Sequence, residues 1–326
     1  MKSHGVGASV LRKEDDRHLR GRGKFVGDIQ LPGTRHVAFL RSPAAHGHLR
    51  SVSIPAEYRK QVFVADDLLG VSPIRARSSL PGFKPSDQPV LAHDKVRHVG
   101  ELIAMCVANT RAEAEDIVDT IGVEIEELPV LSDMLAAREA DATLVHDDWG
   151  DNVFLTTDFD QDLDPIIARA AASVTRTIRT ARQSMSPLEG RAVLANWDSR
   201  LEQLVVYTST QQPHIVRTGL SECLGIEHAQ IRVVAPDVGG GFGYKGILLP
   251  EEICLGWAAK KLGYPLKWLE DRRQNLTASS NCREHHYTIT AYGDTKGRLI
   301  AIDAEATVDA GAYSSYPFSA CLEAAQ

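Results

Sequence analysis

The sequence has few of the cysteine patterns that staple small secreted domains or hold metal clusters. Its five cysteines are odd in number and include no CxxC pair: Cys106, Cys223, Cys254, Cys282 and Cys321. A disulfide framework needs paired cysteines, and iron–sulfur or zinc sites need closely spaced ones. We therefore expect reduced thiols and no metal ligand from the protein.

Long apolar runs and excess positive charge are also missing. The first 23 residues, MKSHGVGASVLRKEDDRHLRGRG, carry charges where a secretory signal needs an apolar core, and no later stretch reaches the length of a membrane span. The formal net charge is -7, which argues against general affinity for nucleic acid. These absences predict a cytoplasmic chain with no membrane span and no nucleic-acid partner.

The apolar pattern predicts a mixed α/β fold, and the length of 326 residues suits two domains. The first segment predicts strands at 36–42, 101–109 and 122–130, with a helix at 110–121 between the last two. The pattern weakens between Ser132 and Gly150. We predict a first domain at 1–131, a linker at 132–150 and a second domain at 151–326.

The second segment predicts further strands and helices. The stretch 162–183 is interpreted as a helix, with Asp164 as its cap and Pro165 in its first turn. Strands at 192–198 and 203–210 form a predicted hairpin. Helices are expected after Pro213 and Pro250, ending at Gly225 and Gly263, and a strand pair is expected around the turn at 294–297.

The stretch VVAPDVGGGFGYK, residues 233–245, is the most informative in the chain. It contains four glycines among five residues, at 239, 240, 241 and 243, with Phe242 as an apolar wedge and Lys245 close behind. Glycine allows the backbone to approach a ligand and present several N–H groups to it, and we expect the lysine to add a positive charge there. The loop predicts a site for a phosphate or oxo group.

Polar residues at the end of a neighbouring strand suggest the other side of this site. Gln211 and Gln212 follow a predicted strand and precede a proline. Polar groups at the carboxyl ends of strands face a crevice in many α/β proteins. By contrast, Glu189 near Arg191 predicts an ion pair rather than acid–base chemistry, and His46 with His48 predicts a polar loop or a subunit contact.

A dinucleotide-binding alternative is open at this point. Gly241, Gly243 and Gly246 satisfy G-x-G-x-x-G after a strand, and Glu270 ends the next strand near where a ribose-binding acid is expected. Against it, a dinucleotide fold passes directly from strand to helix, whereas Pro250 places the helix several residues later.

Several motifs together resemble one enzyme family. They are GVGASVLRKEDDRHLRGRGKFVGDIQLPG, LRSPAAHGHLRS, PVLAHDKVRHVGELIAMCVA and TRAEAEDIV in the first segment, and SPLEGRAVLA, TSTQQPH, PDVGGGFGYK, KWLEDR and DAGAY in the second. In this order they resemble the amino-terminal half of the molybdenum-binding large subunit of the xanthine dehydrogenase and aerobic carbon monoxide dehydrogenase family. The resemblance implies an α/β-hammerhead domain followed by an incomplete first molybdopterin-binding domain.

The resemblance also implies a site and its cofactors. It identifies Gln211 as a catalytic and cofactor-binding residue, and Gly240, Gly241, Phe242 and Gly243 as the cofactor loop. The cofactor would be molybdenum–molybdopterin in the cytosine dinucleotide form, with the metal held by the pterin's sulfurs. The 2Fe-2S clusters and FAD would lie on partner subunits. The family oxidises an electron-poor carbon, as in an aldehyde or aromatic N-heterocycle, with water as the oxygen source.

Two departures limit the resemblance. Purine-oxidising members have a substrate-binding glutamate directly after the loop lysine, where this chain has Gly246. The family's general base and active-site loop would lie beyond Gln326. We therefore expect a fragment or one piece of a split subunit, inactive alone, with the carboxyl-terminal half of the molybdenum subunit as a partner. A non-catalytic scaffold that binds partner subunits is the remaining alternative.

Overall fold

A computed structural model describes residues 5–158 and 161–318. Its α-helices are α1 (Asp15–Leu19), α2 (Arg111–Val118), α3 (Asp164–Ile167), α4 (Pro213–Leu224), α5 (Pro250–Leu262) and α6 (Arg272–Ala278). The strands up to the middle of the chain are β1 (Arg35–Arg41), β2 (Gly47–Ser53), β3 (Val62–Val64), β4 (Ile74–Arg75), β5 (Asp87–Gln88), β6 (Lys95–Val96), β7 (Leu102–Ala108) and β8 (Gly122–Glu127). The later strands are β9 (Ala172–Thr180), β10 (Ala192–Asp198), β11 (Gln203–Thr208), β12 (Ile231–Val234), β13 (Leu266–Leu269), β14 (Glu284–Gly293) and β15 (Leu299–Asp309).

One seven-stranded sheet draws its strands from both predicted segments. Its order is β12, β11, β10, β13, β1, β7, β3. The join is the parallel pairing of β1 with β13, in which Arg35 lies opposite Leu266 and His36 opposite Lys267. The boundaries of the two domains stay a prediction, and the segments are continuous through this sheet.

The core lies against this sheet and has the composition expected of central strands. All seven residues of β7, LIAMCVA, are buried, as a strand covered on both faces should be. Helices α4 and α5 pack against β10 to β12 through Val216, Leu220, Ile253 and Leu255. A fully buried side chain of this size contributes ~1.5–3 kcal/mol relative to exposure.

Most of the predicted elements are confirmed. Strands β1, β7 and β8 and helix α2 are present as predicted, although β8 lies with β2 and β6 in a separate sheet. Thr110 caps α2 by accepting a hydrogen bond from Glu113 N. The 192–208 hairpin is present. Helices α4 and α5 begin at their prolines and end at Gly225 and Gly263 in the left-handed region.

The predicted helix at 162–183 is wrong. Helix α3 has only four residues, and Leu163 rather than Asp164 occupies its cap position, without a side-chain cap. The rest of the stretch forms β9, which pairs antiparallel with β14. The reason lies in composition, because Val174, Ile178 and the threonines between them are β-branched and favour strands.

Strands β9, β14 and β15 make a separate three-stranded sheet. One face is apolar and includes Val174, Ile178, Ile289 and Ile302, while the opposite face is rich in threonine. Val174 and Ile178 are about half exposed.

The structure bears on three features that the sequence lacks: membrane spans, disulfides and metal clusters. In the part of the chain that the structure covers, no helix is long and apolar enough to cross a membrane. The four cysteines within that part form no disulfide, and Cys321 lies outside it. No group of three or more His, Cys, Asp or Glu side chains among the same residues is placed to hold a metal ion.

Candidate functional site: the glycine loop

The site forms where two neighbouring strands end. Strands β11 and β12 are parallel neighbours, so their carboxyl ends lie at the same edge of the sheet. Gln211 follows β11, and the glycine loop follows β12. Chain direction alone therefore brings together two stretches that are about thirty residues apart in sequence.

Gln211 contacts the glycine loop directly. Its side-chain Oε1 accepts a hydrogen bond from Gly243 N at 3.0 Å, and its backbone N donates to Lys245 O at 2.9 Å. A Cβ placed on Gly241 would lie 2.5 Å from Gln211 Oε1, so any larger residue would force the Gln211 side chain to move away. Gly241 is therefore required for Gln211 to lie against the loop.

The loop backbone adopts conformations that side chains disfavour. Gly240 and Gly243 have φ of 96° and 88°, and Phe242 between them has φ of 53°. Positive φ is open to glycine and rare for other residues, which explains the glycines at both positions. Phe242 is 70% exposed, as expected of an apolar wedge that faces a ligand rather than the core.

Lys245 does not present its charge to a ligand, so that expectation is wrong. The residue is 2% exposed, and its Nζ lies 2.9 Å from Glu189 Oε2. Burial lowers the pKa of Lys245, and the Glu189 carboxylate partly offsets that effect. The lysine supports the loop from inside the protein.

Glu189 is a site residue that sequence reasoning assigned to an ordinary ion pair. Its Oε2 accepts hydrogen bonds from Gly239 N at 2.7 Å and from Lys245 Nζ, and its own N donates to Gly239 O. A Cβ on Gly239 would lie 2.6 Å from Glu189 Cβ. Glu189 and Arg191 both form ion pairs, but with different partners, and no spacing rule in the sequence shows this.

Arg191 belongs to a buried ionic cluster beneath the site. Its guanidinium donates to Glu251 at 2.8 and 2.9 Å and to Glu270 at 3.2 Å, and Arg41 reaches Glu251 at 2.9 Å. Burial opposes the charged form of Glu251, but Arg191 and Arg41 outweigh it and hold its pKa well below the usual range. The cluster joins α5 to β1, β10 and the end of β13.

Tyr244 connects this cluster to the loop, and Glu252 is buried nearby at the start of α5. Tyr244 is buried and donates its hydroxyl hydrogen bond to Glu270, and burial raises the pKa of Tyr244 well above its usual value. Glu252 accepts from Thr208 Oγ1 at 2.9 Å and from Leu249 N at 3.0 Å. Burial raises the pKa of Glu252 to about 7, although those two hydrogen bonds oppose the shift.

The arrangement offers little to a dinucleotide. Glu270, the candidate ribose-binding acid, is 8% exposed and is paired with Arg191 and Tyr244. Helix α5 begins only at Pro250, after a short 3₁₀ turn at Tyr244–Gly246. Its N-terminus therefore does not follow the glycines directly, as that fold requires.

The histidine pairs also have ordinary roles. His46 is buried, with Nδ1 2.9 Å from Pro129 O, which is consistent with the structural role expected of it. His285 and His286 are consecutive residues of β14 and so face opposite sides of the sheet.

The loop and Gln211 fit a ligand that accepts hydrogen bonds. Gly239 and Gly243 use their N–H groups within the site, whereas those of Gly240 and Gly241 donate to none of the residues that the structure describes. Gln211 Nε2 donates to none of the residues that the structure describes, and the residue is exposed. A cofactor with oxo and phosphate oxygens suits this donor set.

Family comparisons agree with the geometry of this edge. The sequence model of the molybdopterin cofactor-binding domain matches residues 145–326, more than half of the chain. That of the aldehyde oxidase and xanthine dehydrogenase a/b hammerhead domain matches residues 20–129. The chain belongs to this molybdenum-enzyme family. The hammerhead and cofactor-binding parts expected from the sequence are both confirmed, as is the resemblance to the amino-terminal part of the large subunit.

Individual relatives cover nearly all of this chain. The large subunit of nicotine 6-hydroxylase from Paenarthrobacter nicotinovorans is 35% identical over 98% of the chain. The carbon monoxide dehydrogenase large chain from Hydrogenophaga pseudoflava is 30% identical over 95% of it. The crystal structure of quinoline 2-oxidoreductase from Pseudomonas putida 86 superposes with a TM-score of 0.90, at 37% identity over 98% of the chain.

The chain spans only part of the length of these relatives. It covers 40% of the nicotine 6-hydroxylase and carbon monoxide dehydrogenase large chains and 41% of the quinoline 2-oxidoreductase chain. It therefore corresponds to the amino-terminal part of a larger subunit of this family. The comparisons give no support to the NAD-binding or scaffold alternatives.

Proposed function

We propose that this chain supplies part of the cofactor site of a molybdenum hydroxylase that oxidises an electron-poor carbon with water as the oxygen source. The observation that supports the proposal best is the hydrogen bond from Gly243 N to Gln211 Oε1, which sets Gln211 against the glycine loop at the end of two parallel strands. That bond fixes the Gln211 amide, so its Nε2 donor has a defined direction.

Each residue of the site has a role in holding the cofactor. Backbone N–H groups of Gly240 and Gly241 would approach its oxygens, Gly243 would hold Gln211 in place through its N–H, and Phe242 would pack against the cofactor. Gln211 Nε2 would donate a hydrogen bond to an oxygen ligand of the metal and so orient that ligand. A charge-assisted hydrogen bond of this kind contributes ~1.5–3 kcal/mol. When bound, the molybdenum–molybdopterin cofactor would supply the metal centre and its two-electron redox chemistry.

The proposed substrate is an aromatic N-heterocycle or an aldehyde. Nicotine and quinoline, the compounds named for two of the relatives, are both N-heterocycles. The chain has Gly246, buried behind the loop, where purine-oxidising members have a glutamate. Xanthine is therefore disfavoured as a substrate, since no carboxylate follows the loop lysine.

The proposed setting is a cytoplasmic complex. Relatives are named as a large subunit, a large chain and a complex subunit gamma, which supports assembly with partner subunits. We propose that those partners carry the 2Fe-2S clusters and FAD. We expect the cytosine dinucleotide form of the cofactor. The remaining part of the large subunit, on this or another chain, would supply the general base and most of the substrate pocket.

The test compares two neighbouring glutamines in the assembled enzyme. Gln211→Ala should lower kcat by at least tenfold and leave the free energy of unfolding unchanged, because the side chain is exposed. Gln212→Ala is the matched control, since Gln212 is also exposed and its side chain makes no hydrogen bond to the described residues. If Gln211→Ala has the same kcat as Gln212→Ala, Gln211 does not act in the site.

Metal analysis and a nucleotide titration test the alternatives. Molybdenum at one atom per chain in the purified complex is expected, whereas a scaffold would contain none. Saturable quenching or enhancement of NADH fluorescence by the chain would count against the molybdenum site and in favour of a dinucleotide site.

A further inference from the structure

Asp237 lies between the end of β12 and the first glycine of the loop, and it is 9% exposed. Its Oδ2 accepts hydrogen bonds from Arg17 Nη1 and Lys24 N, both at 2.7 Å. His18 Nε2 lies 3.2 Å from Oδ1. The backbone bond runs the other way, from Asp237 N to Lys24 O at 3.1 Å. One carboxylate therefore gathers three residues from the start of the chain.

These residues belong to a segment that we call the amino-terminal arm, residues 12–24. Helix α1 within the arm has no buried residue, and Leu19 is 88% exposed. Its other ion pairs are local and exposed, Arg12 with Asp15 and Arg20 with Asp16. Among the described residues, every hydrogen bond or ion pair from the arm to a residue beyond 30 ends at Asp237.

The packing around this contact is close. A Cβ on Gly23 would lie 3.2 Å from the Phe25 ring, 3.3 Å from His18 and 3.5 Å from Asp237 Oδ2. The His18 and Phe25 rings are stacked, with centroids 6.5 Å apart. The arm thus packs against Asp237 in a defined position, although its outer surface is exposed.

The short stretch 237–239 is held from two directions. The arm fixes Asp237 through its side chain and its backbone N. Two residues later, Glu189 fixes Gly239 through its N and O. The φ and ψ angles of each residue set the orientation of one peptide plane relative to the next. Fixing both Asp237 and Gly239 therefore restricts the direction in which the N–H groups of the following loop residues point.

We propose that Asp237 is a positioning residue, and that the amino-terminal arm folded onto it holds the glycine loop in its cofactor-binding conformation. This inference rests on the proposed function of the loop. It implies thermodynamic coupling between the arm and the cofactor. A cofactor that binds the ordered loop also stabilises the arm on Asp237, and the arm contact strengthens cofactor binding by the same factor as the cofactor strengthens the arm contact.

Arg17 of α1 and Arg20, the residue directly after that helix, provide a matched pair for the test. Arg17→Ala removes the contact to Asp237, while Arg20→Ala removes only the exposed ion pair with Asp16. Both side chains are substantially exposed, at 44% and 61%, so neither change should unfold the protein. Asp237→Asn tests the same contact from the other side, and Arg17→Lys should restore part of it by keeping the charge.

The measurements are molybdenum retained by the assembled enzyme during dialysis, and hydrogen exchange of the peptides that cover residues 12–24 and 239–243. Arg17→Ala and Asp237→Asn should release molybdenum about tenfold faster, as expected for loss of one charge-assisted hydrogen bond. Exchange should rise in both peptides and stay constant in α2. Arg20→Ala should match the wild type.

Two outcomes separate the inference from the proposed function. If the wild type retains molybdenum, and Arg17→Ala retains it equally with unchanged exchange in the loop, the inference is overturned and the proposed function stands. If the wild-type complex contains no molybdenum, the proposed function fails. Exchange in the loop of Asp237→Asn then still decides whether the arm positions that loop.

Discussion

Lys245 Nζ lies 2.9 Å from Glu189 Oε2, and the same oxygen accepts a hydrogen bond from Gly239 N. The two residues connect the segment before β10 to both ends of the glycine loop. The lysine follows the loop and the carboxylate holds the loop's first glycine. The pair therefore holds the two ends of the loop together from inside the protein.

Glu189→Gln should destabilise the protein by ~1.5–3 kcal/mol, because Lys245 would stay buried without a counter-charge. Urea unfolding of the variant measures this effect. The double variant Glu189→Gln/Lys245→Met should recover part of the loss, since it leaves no buried charge unpaired. If the free energy of unfolding lost in the double variant equals the sum of the losses in the two single variants, the two residues do not act as a pair.

Gly241→Ala should lower turnover about as much as Gln211→Ala, because a Cβ at this position would lie 2.5 Å from Gln211 Oε1 and displace the amide. Steady-state kinetics of the two variants and of their combination form a double-mutant cycle. We expect the combination to be no worse than either change alone. Gly27→Ala is the control, since its Cβ would meet nothing closer than 4.0 Å, and fully additive losses would contradict the contact.

Arg191→Met should cost ~3–5 kcal/mol of unfolding free energy, because it leaves Glu251 and Glu270 buried with fewer partners. Thermal unfolding measures the loss. Arg50→Met is the comparison, since Arg50 pairs with Glu126 on the surface and both side chains are more than half exposed. Such a pair contributes ~0–1 kcal/mol. Equal losses of unfolding free energy in the two variants would show that the buried cluster stabilises the protein no more than a surface ion pair does.

Glu252 should make stability fall as pH rises. Its folded pKa is raised to about 7 from an unfolded value of 4.5, so the folded state holds the proton that the unfolded state has lost. Between about pH 4.5 and pH 7 the unfolded state binds fewer protons, and the contribution of this group declines across that window. Burial is the cause.

Glu252→Gln should remove this decline, which we expect to be on the order of 3 kcal/mol in total. The measurement is the free energy of unfolding by urea at pH values from 5 to 8, for the variant and the wild type. The difference between the two curves isolates Glu252 from other titrating groups. A constant difference across that range would mean that Glu252 does not titrate there.

Local patterns in the sequence were sufficient for much of the fold. The alternation in β8, the apolar run of β7 and the proline and glycine ends of α4 and α5 follow from short-range sterics and burial. The glycine loop was evident for the same reason, because only glycine readily adopts its positive φ. The stretch 162–183 was wrongly predicted because Asp164 and Pro165 are typical of a helix start, whereas pairing with β14 placed residues 172–180 in a strand.

The partners of charged side chains could not be predicted. Lys245 follows the loop in sequence and was expected to face a ligand, yet it points inward to Glu189. Arg191 finds Glu251 and Glu270, which are sixty or more residues away. Pairs of this kind depend on which elements the sheet places side by side, and no local signal carries that information.

The sequence by itself determined many of the strands and helices, the glycine loop and the family, because these depend on short-range preferences and on ordered motifs. Tertiary structure alone decided that both segments share one sheet, that Gln211 lies against Gly241, and that Asp237 holds the amino-terminal arm. Each of these joins residues distant in sequence, and long-range contacts form only when burial of the whole core compensates the entropy of closing such loops.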